Sequence, residues 1–245
     1  MRRRANQRQV MMTLIKQYPV FRYADRRGVA DSDQVLAEFS LDLYLNGTLK
    51  ETISCIPEYL EEMILGKLYT EGRISSAEHV LELTLDTARG RADVMFREEP
   101  LQMKMLPDLA VCPDDILALS DRLLSSSEVF EQTGNVHSVM LCRGPQVLYF
   151  SEDVDRYHAF EKTVGRALKD HVDFGGTTIY TTGRIPSPIA EKAIHAGIPA
   201  IVSRSAPTDL TVELAKEYNL TVIGFARRNR MNVYHSSQPQ SFMFM

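Results

Sequence analysis

The chain has 245 residues, of which 44% are hydrophobic, and a formal net charge of −4. These residues suffice for a normal core, whereas no apolar run approaches the ~18 residues that span a membrane. The start of the chain also lacks the apolar stretch of a signal peptide, so we expect a cytoplasmic protein with no membrane partner.

The charge is uneven along the chain. Residues 1–30 carry a net charge of +7 and residues 31–245 a net charge of −11. A basic arm on an acidic body can contact nucleic acid or an acidic protein surface. Because no aromatic interleaving or RNA-binding motif accompanies the basic residues, we interpret residues 1–30 as a solvated, partly disordered arm with no nucleic-acid partner.

Residues 31–112 predict a smaller lobe rich in β-hairpins. Period-two alternation flanks the turn Asn46-Gly47, Pro57 suits the first position of a helix, and Arg89-Gly90 separates two further β-rich runs. The predicted elements are a hairpin, a helix and a second hairpin, over residues 37–55, 57–71 and 80–96. Periodicity fades over residues 97–112, which we interpret as a mobile segment.

Residues 113–235 predict an α/β domain. Asp114-Asp115 open a helix, a hairpin turns at Gly144-Pro145 and leads into a second helix, and strands then alternate with helices as far as Phe225. Such alternation predicts a mixed or parallel sheet that is covered by helices on both faces. Residues 236–245 are expected to be a flexible tail.

Four polar residues flank this hairpin. His137 lies at the entry of its first strand, whereas Asp153, Arg156 and His158 crowd the loop where its second strand gives way to the helix, and loops on a rigid scaffold often carry function. His158 and Glu161 resemble the helix-borne His and Glu of zinc-dependent cytidine deaminases. That family needs H-x-E and a P-C-x-x-C segment, neither of which occurs here, so the sequence predicts no zinc and no other metal site.

Two strand ends carry residues suited to anions. Thr181-Thr182-Gly183-Arg184 follows a strand and precedes a helix, where N–H groups and a guanidinium can hold an anion; the alternative is a capped helix with a surface arginine. Arg227, Arg228 and Arg230 follow the last apolar strand. Three guanidiniums in four positions suit a ligand with several phosphates, although a solvated turn is the other interpretation.

The three cysteines, Cys55, Cys112 and Cys142, form no C-x-x-C pair, which excludes a disulfide framework and a four-thiolate zinc site. Cys55 and Cys142 lie in predicted strands and are expected to be inert core thiols. Cys112 precedes a helix, whose N-terminus favours a thiolate, while Asp114 and Asp115 oppose it. Cys112 is therefore the candidate for thiol chemistry.

Several ordered motifs carry a family resemblance. They are Asn46-Gly47, E-E-M-I-L-G-K-L-Y-T-E-G at Glu61–Gly72, T-G-N-V-H at Thr133–His137, E-D-V-D-R-Y-H-A-F-E-K at Glu152–Lys162, Gly183-Arg184 followed by Lys192, S-R-S-A-P-T at Ser203–Thr208, and L-T-V-I-G-F-A-R at Leu220–Arg227. Over about four fifths of its length the chain thus resembles the formate dehydrogenase accessory sulfurtransferase family, the FdhD-like proteins.

The resemblance implies a cytidine-deaminase-like α/β fold with a smaller lobe, and a homodimer. Family members carry persulfide sulfur from a cysteine desulfurase to the molybdenum or tungsten bis(molybdopterin guanine dinucleotide) cofactor, which then activates formate dehydrogenase. The nucleotide end of that cofactor maps onto the strand end and turn, with Arg184 as a further phosphate contact and the four polar residues as framing. The mapped residues are Phe225, Ala226, Arg227, Arg228, Asn229 and Arg230.

The chain also departs from the family pattern. The family carries sulfur on a C-G-x-C-G loop, and residues 97–111 contain no cysteine, so Cys112 is the one thiol left for a catalytic role. In the central loop, Asp155, Tyr157 and His158 replace the family's glycine, histidine and asparagine. Two alternatives follow: a non-catalytic relative that binds the cofactor or the dehydrogenase, and a nucleotide-binding deaminase-like enzyme.

Overall fold

A computed structural model of the protein describes residues 14–243, in which three β-sheets are combined with six α-helices. This mixed architecture confirms the predicted α/β (α+β) class, whereas the cytidine-deaminase-like arrangement stays an expectation. Within residues 14–243 no helix is both long and apolar enough to cross a membrane.

The first sheet is a two-stranded antiparallel hairpin, which we call the arm hairpin. Strands β1 (Ile15–Ala24) and β2 (Arg27–Leu36) pair along their whole length. Asp25 and Arg26 both have positive φ, of 50° and 62°, as a two-residue type I′ turn requires. The hairpin corrects, over residues 15–30, the partly disordered arm predicted for residues 1–30; residues 1–13 lie outside the described residues. The signal was missed because Asp-Arg is not a common turn dipeptide.

The second sheet has four strands and packs against one helix. The strands lie in the order β4-β3-β6-β5, and their apolar residues form one core with helix α1. The elements are β3 (Phe39–Leu45), β4 (Thr48–Cys55), α1 (Leu60–Thr70), β5 (Val80–Asp86) and β6 (Arg91–Phe96). Both predicted hairpins are confirmed. The helix begins three residues later than predicted, because Tyr59 precedes it in the left-handed region at φ 53°.

The third sheet has six strands in the order β12-β11-β10-β9-β7-β8. Strands β9, β10 and β11 are mutually parallel, β7 is antiparallel to both β8 and β9, and β12 is antiparallel to β11. The strands are β7 (His137–Arg143), β8 (Gln146–Asp153), β9 (Thr178–Thr181), β10 (Ala200–Ser203), β11 (Thr221–Arg227) and β12 (Arg230–His235). The alternation predicted from the sequence is confirmed, and β12 was missed.

Helices cover both faces of this sheet, as predicted. Side chains of α4, α5 and α6 pack on one face around Phe160, whereas Ile116, Leu119 and Leu123 of α2 pack on the other. The helices are α2 (Pro113–Ser125), α3 (Glu128–Thr133), α4 (Arg156–Lys169), α5 (Ser187–Ala196) and α6 (Asp209–Tyr218). Helix α3 was not predicted from the sequence; it is a short helix capped by Ser127, whose side chain accepts a hydrogen bond from Phe130 N.

Residues 97–112 have no regular secondary structure, but they are held in place, which corrects the prediction of a mobile segment. Leu106 is buried, its N–H donates to Tyr218 O, and Asn219 donates back to Leu106 O. Leu109 N donates to Ser237 Oγ. The segment is therefore a strap from the four-stranded sheet to the edge of the six-stranded sheet where β11 begins. The tail is partly packed too, since Phe242 lies against the core beside α2.

Helices α1 and α4 join the two larger sheets through a glycine–glycine crossing. A Cβ on Gly66 would overlap the carbonyl oxygen of Glu161, and a Cβ on Gly165 would overlap that of Glu62. Neither glycine has positive φ, so both serve close backbone approach rather than backbone freedom. We call this crossing the joint, together with the buried ion pairs around it, which are Lys67–Glu161, Lys192–Glu161 and Lys162–Asp153.

Candidate functional site

The carboxyl ends of β8, β9, β10 and β11 lie at the same end of the six-stranded sheet. We call this end its carboxyl edge, which refers to the strand ends and not to an outermost strand. Ser203 pairs with Thr181 across β10 and β9, and His137, at the start of the antiparallel β7, pairs with Asp153 at the end of β8. Open α/β sheets bind ligands outside their carboxyl strand ends, so this edge is the candidate site.

Two similar strand–loop–helix connections build the middle of this edge. Thr181 Oγ1 accepts a hydrogen bond from Gly183 N, and Ser203 Oγ likewise accepts one from Ser205 N two residues on. Ser203 Oγ also donates to Gly183 O at 2.5 Å, which ties the two loops together. Such local side-chain turns are the reason that Ser and Thr occur at these strand ends.

Four arginines line a cleft at the β11 side of this edge. The cleft has a volume of 610 Å³ and is formed by Arg204, Arg227, Arg228, Asn229 and Arg230. We call it the arginine cleft. Three of its arginines are exposed and carry guanidiniums toward solvent, while Arg204 is largely buried beside them. Several guanidiniums around one cavity make an anion site, because each offers a planar fork that matches phosphate or carboxylate oxygens.

Arg204 is a cleft residue that sequence reasoning missed. Its Nη1 donates to Asp121 Oδ1 and to Ser120 O, both at 2.9 Å, which fixes the guanidinium on helix α2. Asp121 also accepts from Arg228 N at 3.3 Å. The hydrogen bond from Arg204 is the main cause that lowers the pKa of Asp121. A signal was present, since Arg204 follows its strand just as Arg184 follows the preceding one.

Only part of the predicted run from Phe225 to Arg230 lines the cleft. Arg227 to Arg230 line the cleft, but Ala226 is buried in the core and Phe225 is half-buried. Phe225 has a φ of 53° at a bulge in β11, and its N–H donates to Ser205 O. A bulge with a strained residue re-aims the chain, here into the arginine-bearing turn of a β11–β12 hairpin. The arginines thus lie in a hairpin turn rather than past the last strand.

A second cavity, of 380 Å³, adjoins the arginine cleft and shares Arg204 and Arg227 with it. Its apolar wall consists of Leu124, Phe130, Val136 and Val154, and its polar lining includes Asn135, His137, Ser138 and Thr182. We call it the apolar pocket. Together the two cavities form a cationic half, which suits an anion, and a half with one apolar wall.

His137 has a defined hydrogen-bonding role in this pocket. Thr182 Oγ1 accepts from Ser138 N at 3.1 Å and lies 3.4 Å from His137 Nδ1. Burial, followed by the nearby charge of Arg156, lowers the pKa of His137. The lowered pKa favours the neutral imidazole at pH 7, and the direction of the hydrogen bond between Nδ1 and Thr182 Oγ1 follows from its tautomer. A Cβ on Gly183 would lie 3.0 Å from the Arg156 side chain, so a larger residue here would force that side chain to shift.

Asp153 and His158 do not reach the cleft, although the sequence analysis placed them at the site. Asp153 is fully buried and pairs with Lys162 at 2.6 Å, and Ile56 N donates to the same carboxylate. His158 Nδ1 lies 3.7 Å from Asp153. These residues belong to the joint, because Lys162 also donates to Ile56 O beyond the end of β4.

One departure from the family pattern, Asp155 in place of glycine, has a local explanation. Asp155 is the N-cap of α4 and accepts a hydrogen bond from Tyr157 N at 2.7 Å. Its φ of −105° does not require glycine.

Arg184 is exposed and lies in the loop before α5, outside the lining of both cavities.

The thiols lie away from the cleft. Burial raises the pKa of Cys55 and of Cys142 to about 12, so both are protonated at pH 7. Cys112 is exposed and is the N-cap of α2. Asp121, at the cleft, is nine residues further along this helix, which corresponds to ~14 Å at 1.5 Å per residue. Cys112 therefore lies by the strap, at the opposite edge of the sheet.

No group of three or more His, Cys, Asp or Glu suited to a metal occurs within residues 14–243.

Comparisons with known proteins agree on one family. The model of the FdhD/NarQ family matches residues 89–240. The sulfur carrier protein FdhD of Bacillus licheniformis is 31% identical in an alignment of 244 positions that covers 88% of this chain and 93% of that protein. The protein of the same name from Listeria monocytogenes is 32% identical, covering 82% of this chain and 88% of its own.

One solved structure is similar to this chain over nearly the full length of both proteins. The crystal structure of a candidate formate dehydrogenase accessory protein from Desulfotalea psychrophila superposes with a TM-score of 0.82 at 27% identity. The match covers 92% of this chain and 99% of that chain.

Proposed function

The chain belongs to the FdhD/NarQ family, and from that premise we propose that it is an accessory protein of formate dehydrogenase with a role in sulfur transfer. In this role it binds the nucleotide end of the molybdenum bis(molybdopterin guanine dinucleotide) cofactor, its client, in the arginine cleft. One observation carries the binding proposal: four arginines converge around a cavity of 610 Å³ at the carboxyl edge of the sheet.

The cleft suits a diphosphate for electrostatic and geometric reasons. Arg227, Arg228 and Arg230 are exposed, and Arg204 is oriented by Asp121. Guanidinium–phosphate pairs are frequently bidentate, so a diphosphate can engage several of these side chains at once. The apolar pocket extends the site beyond the phosphates with side chains that can pack against a ring.

Sulfur transfer requires a thiol on this chain that can act as a thiolate, and Cys112 is the exposed thiol. Its sulfur would attack the terminal sulfur of the persulfide on a cysteine desulfurase, form a Cys112 persulfide and release the desulfurase thiolate. The exchange needs no external oxidant or reductant. Since Cys112 lies at the opposite edge of the sheet from the cleft, delivery to a cofactor in the cleft requires a second copy or a partner.

The positions of the thiols favour a second candidate function. The chain would then bind the cofactor or the dehydrogenase without carrying sulfur itself. Two of its three thiols are buried and protonated, and the third is remote from the cleft. Both functions share the arginine cleft and differ only at Cys112. The homodimer implied by the resemblance is part of both proposals.

A binding experiment tests the cleft. Isothermal titration with GDP and with pyrophosphate should show binding of both, and Arg227→Ala combined with Arg230→Ala should weaken both about 100-fold, because a hydrogen bond to a charged group contributes roughly 1.5–3 kcal/mol. Arg89→Ala, an exposed arginine on the turn between β5 and β6, is the matched control and should change neither affinity. Unchanged affinity in the double variant would contradict the assignment.

A transfer experiment separates the two candidate functions. Purified cysteine desulfurase charged with ³⁵S-cysteine should label the wild type and the Cys55→Ala, Cys142→Ala variant, in which Cys112 is the only thiol. Cys112→Ala should remain unlabelled. Equal labelling of Cys112→Ala refutes the carrier role of this residue, whereas absence of label on all three proteins supports the binding-only function.

A further inference from the structure

Arg156 carries a partly buried charge that has no ion-pair partner in the described part of the chain. It is the first residue of α4, and its side chain is only partly exposed. Within residues 14–243, its Nε is buried without a hydrogen-bond partner and no ion pair includes it. Buried polar groups and charges are paired as a rule, because an unpaired one costs free energy. The unpaired guanidinium therefore indicates a place for a ligand.

The two acidic residues just before Arg156 are engaged elsewhere. Asp155 caps α4 and accepts a hydrogen bond from Tyr157 N at 2.7 Å, and Asp153 pairs with Lys162 at 2.6 Å. The Arg156 guanidinium carbon lies 5.0 Å from the centre of the Tyr157 ring. An aromatic face attracts a cation without satisfying its N–H groups, so these donors stay available to an anion.

The loop between β9 and α5 brings Arg156 next to His137. A Cβ on Gly183 would lie 3.0 Å from Arg156 Cβ and Cδ and 3.5 Å from His137 Nδ1, so the missing side chain leaves a space that both residues border. Burial lowers the pKa of His137, and the charges of Arg156 and Arg184 lower it further, while Asp155 opposes them. One imidazole and two guanidiniums thus share a region of positive potential.

Side chains, rather than the backbone of this loop, supply the free donors. Three backbone N–H groups of the loop already have acceptors at 3.0–3.1 Å: Thr182 N donates to Ser138 O, Gly183 N to Thr181 Oγ1 and Ile185 N to Ala206 O. Thr182 Oγ1 also lies 3.4 Å from His137 Nδ1, so Nε2 is the ring nitrogen that remains for a ligand. An anion here is therefore held by the guanidiniums and the imidazole.

This region is separate from the arginine cleft. Arg156 follows β8 and Arg227 ends β11, and four steps from strand to strand lie between them in the sheet. At about 4.8 Å a step, the two strand ends are ~19 Å apart. The apolar pocket lies between them, since both His137 and Arg227 line it. A pyrophosphate in the cleft is too short to reach Arg156.

We propose that Arg156, with His137 and Arg184 beside it, forms a second anion subsite that takes a tetrahedral oxyanion such as sulfate or phosphate. The inference goes beyond the proposed function, because the subsite stands whether or not the cleft holds a nucleotide. The oxyanion is either free in solution or a second anionic group of the ligand in the cleft. It offers the guanidinium a planar pair of acceptors and neutralises the charge of Arg156.

Proton NMR of the His137 ring tests this subsite, with the signal assigned by its loss in His137→Gln. Sulfate should raise the pKa of His137 relative to chloride at equal ionic strength, because an anion opposes the charges that lower it. Arg156→Gln should weaken the sulfate dependence of this shift about tenfold or more, since it removes a charged hydrogen-bond donor. Arg89→Gln, an exposed arginine on the turn between β5 and β6, is the matched control and should behave as the wild type. Pyrophosphate titration of Arg156→Gln should match the wild type, which shows that this variant is folded.

Saturating GDP separates the two sources of the oxyanion. A sulfate shift that persists with GDP shows that the subsite takes a free oxyanion. A shift that GDP removes in the wild type, but not in Arg227→Ala with Arg230→Ala, shows that the bound nucleotide reaches the subsite.

The remaining outcomes distinguish a failure of this inference from a failure of the proposed function. No sulfate shift of His137 in the wild type, or an equal shift in Arg156→Gln, overturns the second anion subsite. A sulfate shift in a wild type that does not bind GDP supports the subsite and contradicts nucleotide binding in the cleft. A shift that GDP removes equally in the wild type and in the Arg227→Ala, Arg230→Ala variant does the same.

Discussion

The arginine cleft and the joint are both rich in charged residues, but they use those charges in opposite ways. In the joint, Lys67, Lys192 and Glu161 are at most 8% exposed, and Lys192 Nζ lies 2.8 Å from Glu161. In the cleft, Arg227, Arg228 and Arg230 are exposed. Buried charges must be paired, whereas an exposed cluster of one sign can accept a ligand. Pairing, rather than residue type, therefore distinguishes the structural charges from those that stay available to a ligand.

The pKa values express the same contrast. Burial opposes the charge on Lys67, but Glu161, Glu71 and Glu51 outweigh it and raise its pKa. Burial likewise opposes the charge on Glu71, and Lys67 is the main cause that nevertheless lowers its pKa. Each partner thus keeps the other ionised inside the joint. Because each charge depends on its partner, the joint should be sensitive to single substitutions and the cleft should not.

The largest expected effect is at the fully buried pair of Lys162 and Asp153. Lys162→Ala leaves the Asp153 carboxylate without its partner and Ile56 O without its donor, so we expect a loss of about 3–5 kcal/mol in the free energy of unfolding. Urea denaturation measures it. Lys169→Ala, on the same helix, removes a partly exposed pair with Glu62 and should cost under ~1 kcal/mol. Equal losses would show that burial does not set the difference.

Gly66→Ala tests the helix crossing itself. The added Cβ would overlap Glu161 O, which forces α1 and α4 apart, and such overpacking costs about 1–3 kcal/mol or more. Thermal unfolding should show a lower midpoint. Gly176→Ala is the control, because its Cβ would meet nothing closer than 3.9 Å and its φ is not positive. A variant at Gly66 as stable as that control would refute direct backbone contact at the joint.

Substitution of a cleft arginine should weaken ligand binding with little loss of stability, which is the reverse of the effect expected in the joint. Arg227→Ala removes an exposed guanidinium that makes no ion pair among those found in residues 14–243, so the free energy of unfolding should change by less than ~0.5 kcal/mol. Pyrophosphate affinity should nevertheless fall about tenfold, equivalent to ~1.4 kcal/mol. Measuring both quantities on one preparation tests the contrast directly. A large loss of stability would place Arg227 with the structural charges.

The sequence predicted the larger elements because their signals are local. Asn46-Gly47 and Arg89-Gly90 marked hairpin turns, and the spacing of Ile116, Leu119 and Leu123 marked the buried face of α2. The arm hairpin was missed because its Asp25-Arg26 turn is an uncommon type I′ pair. The strap was misjudged because its order depends on distant acceptors such as Tyr218 O, which no local pattern encodes.

The site was harder to predict, since its membership depends on side-chain direction and on contacts between distant segments. The FARRNR run correctly marked four residues that line the cleft, but Arg204 was missed because its position comes from Asp121, 83 residues away. Asp153 and His158 were predicted to frame the site because they share a loop with Arg156. The structure turns them toward Lys162 instead. The functional roles of all these residues stay predictions.

The smallest expected effect is a pH dependence within the joint. Burial works against the charged form of His158, but Asp153, Glu161 and Asp155 outweigh it and raise its pKa. A raised pKa stabilises the fold below the unfolded value of about 6.5, and this contribution is lost as the pH rises through the folded value. His158→Gln should therefore lose more unfolding free energy relative to the wild type at pH 6 than at pH 9.

A second histidine supplies a control of opposite sign. Burial lowers the pKa of His195, so its protonation at low pH disfavours the folded state. The cost of His195→Gln should then be smaller at pH 6 than at pH 9, since the variant removes a group that destabilises the fold when charged. Urea denaturation of both variants at the two pH values gives, for each variant, the slope of the lost unfolding free energy against pH. Slopes of the same sign would refute the proposal that Asp153 and Glu161 hold the charge on His158, because burial alone acts on both histidines in the same direction.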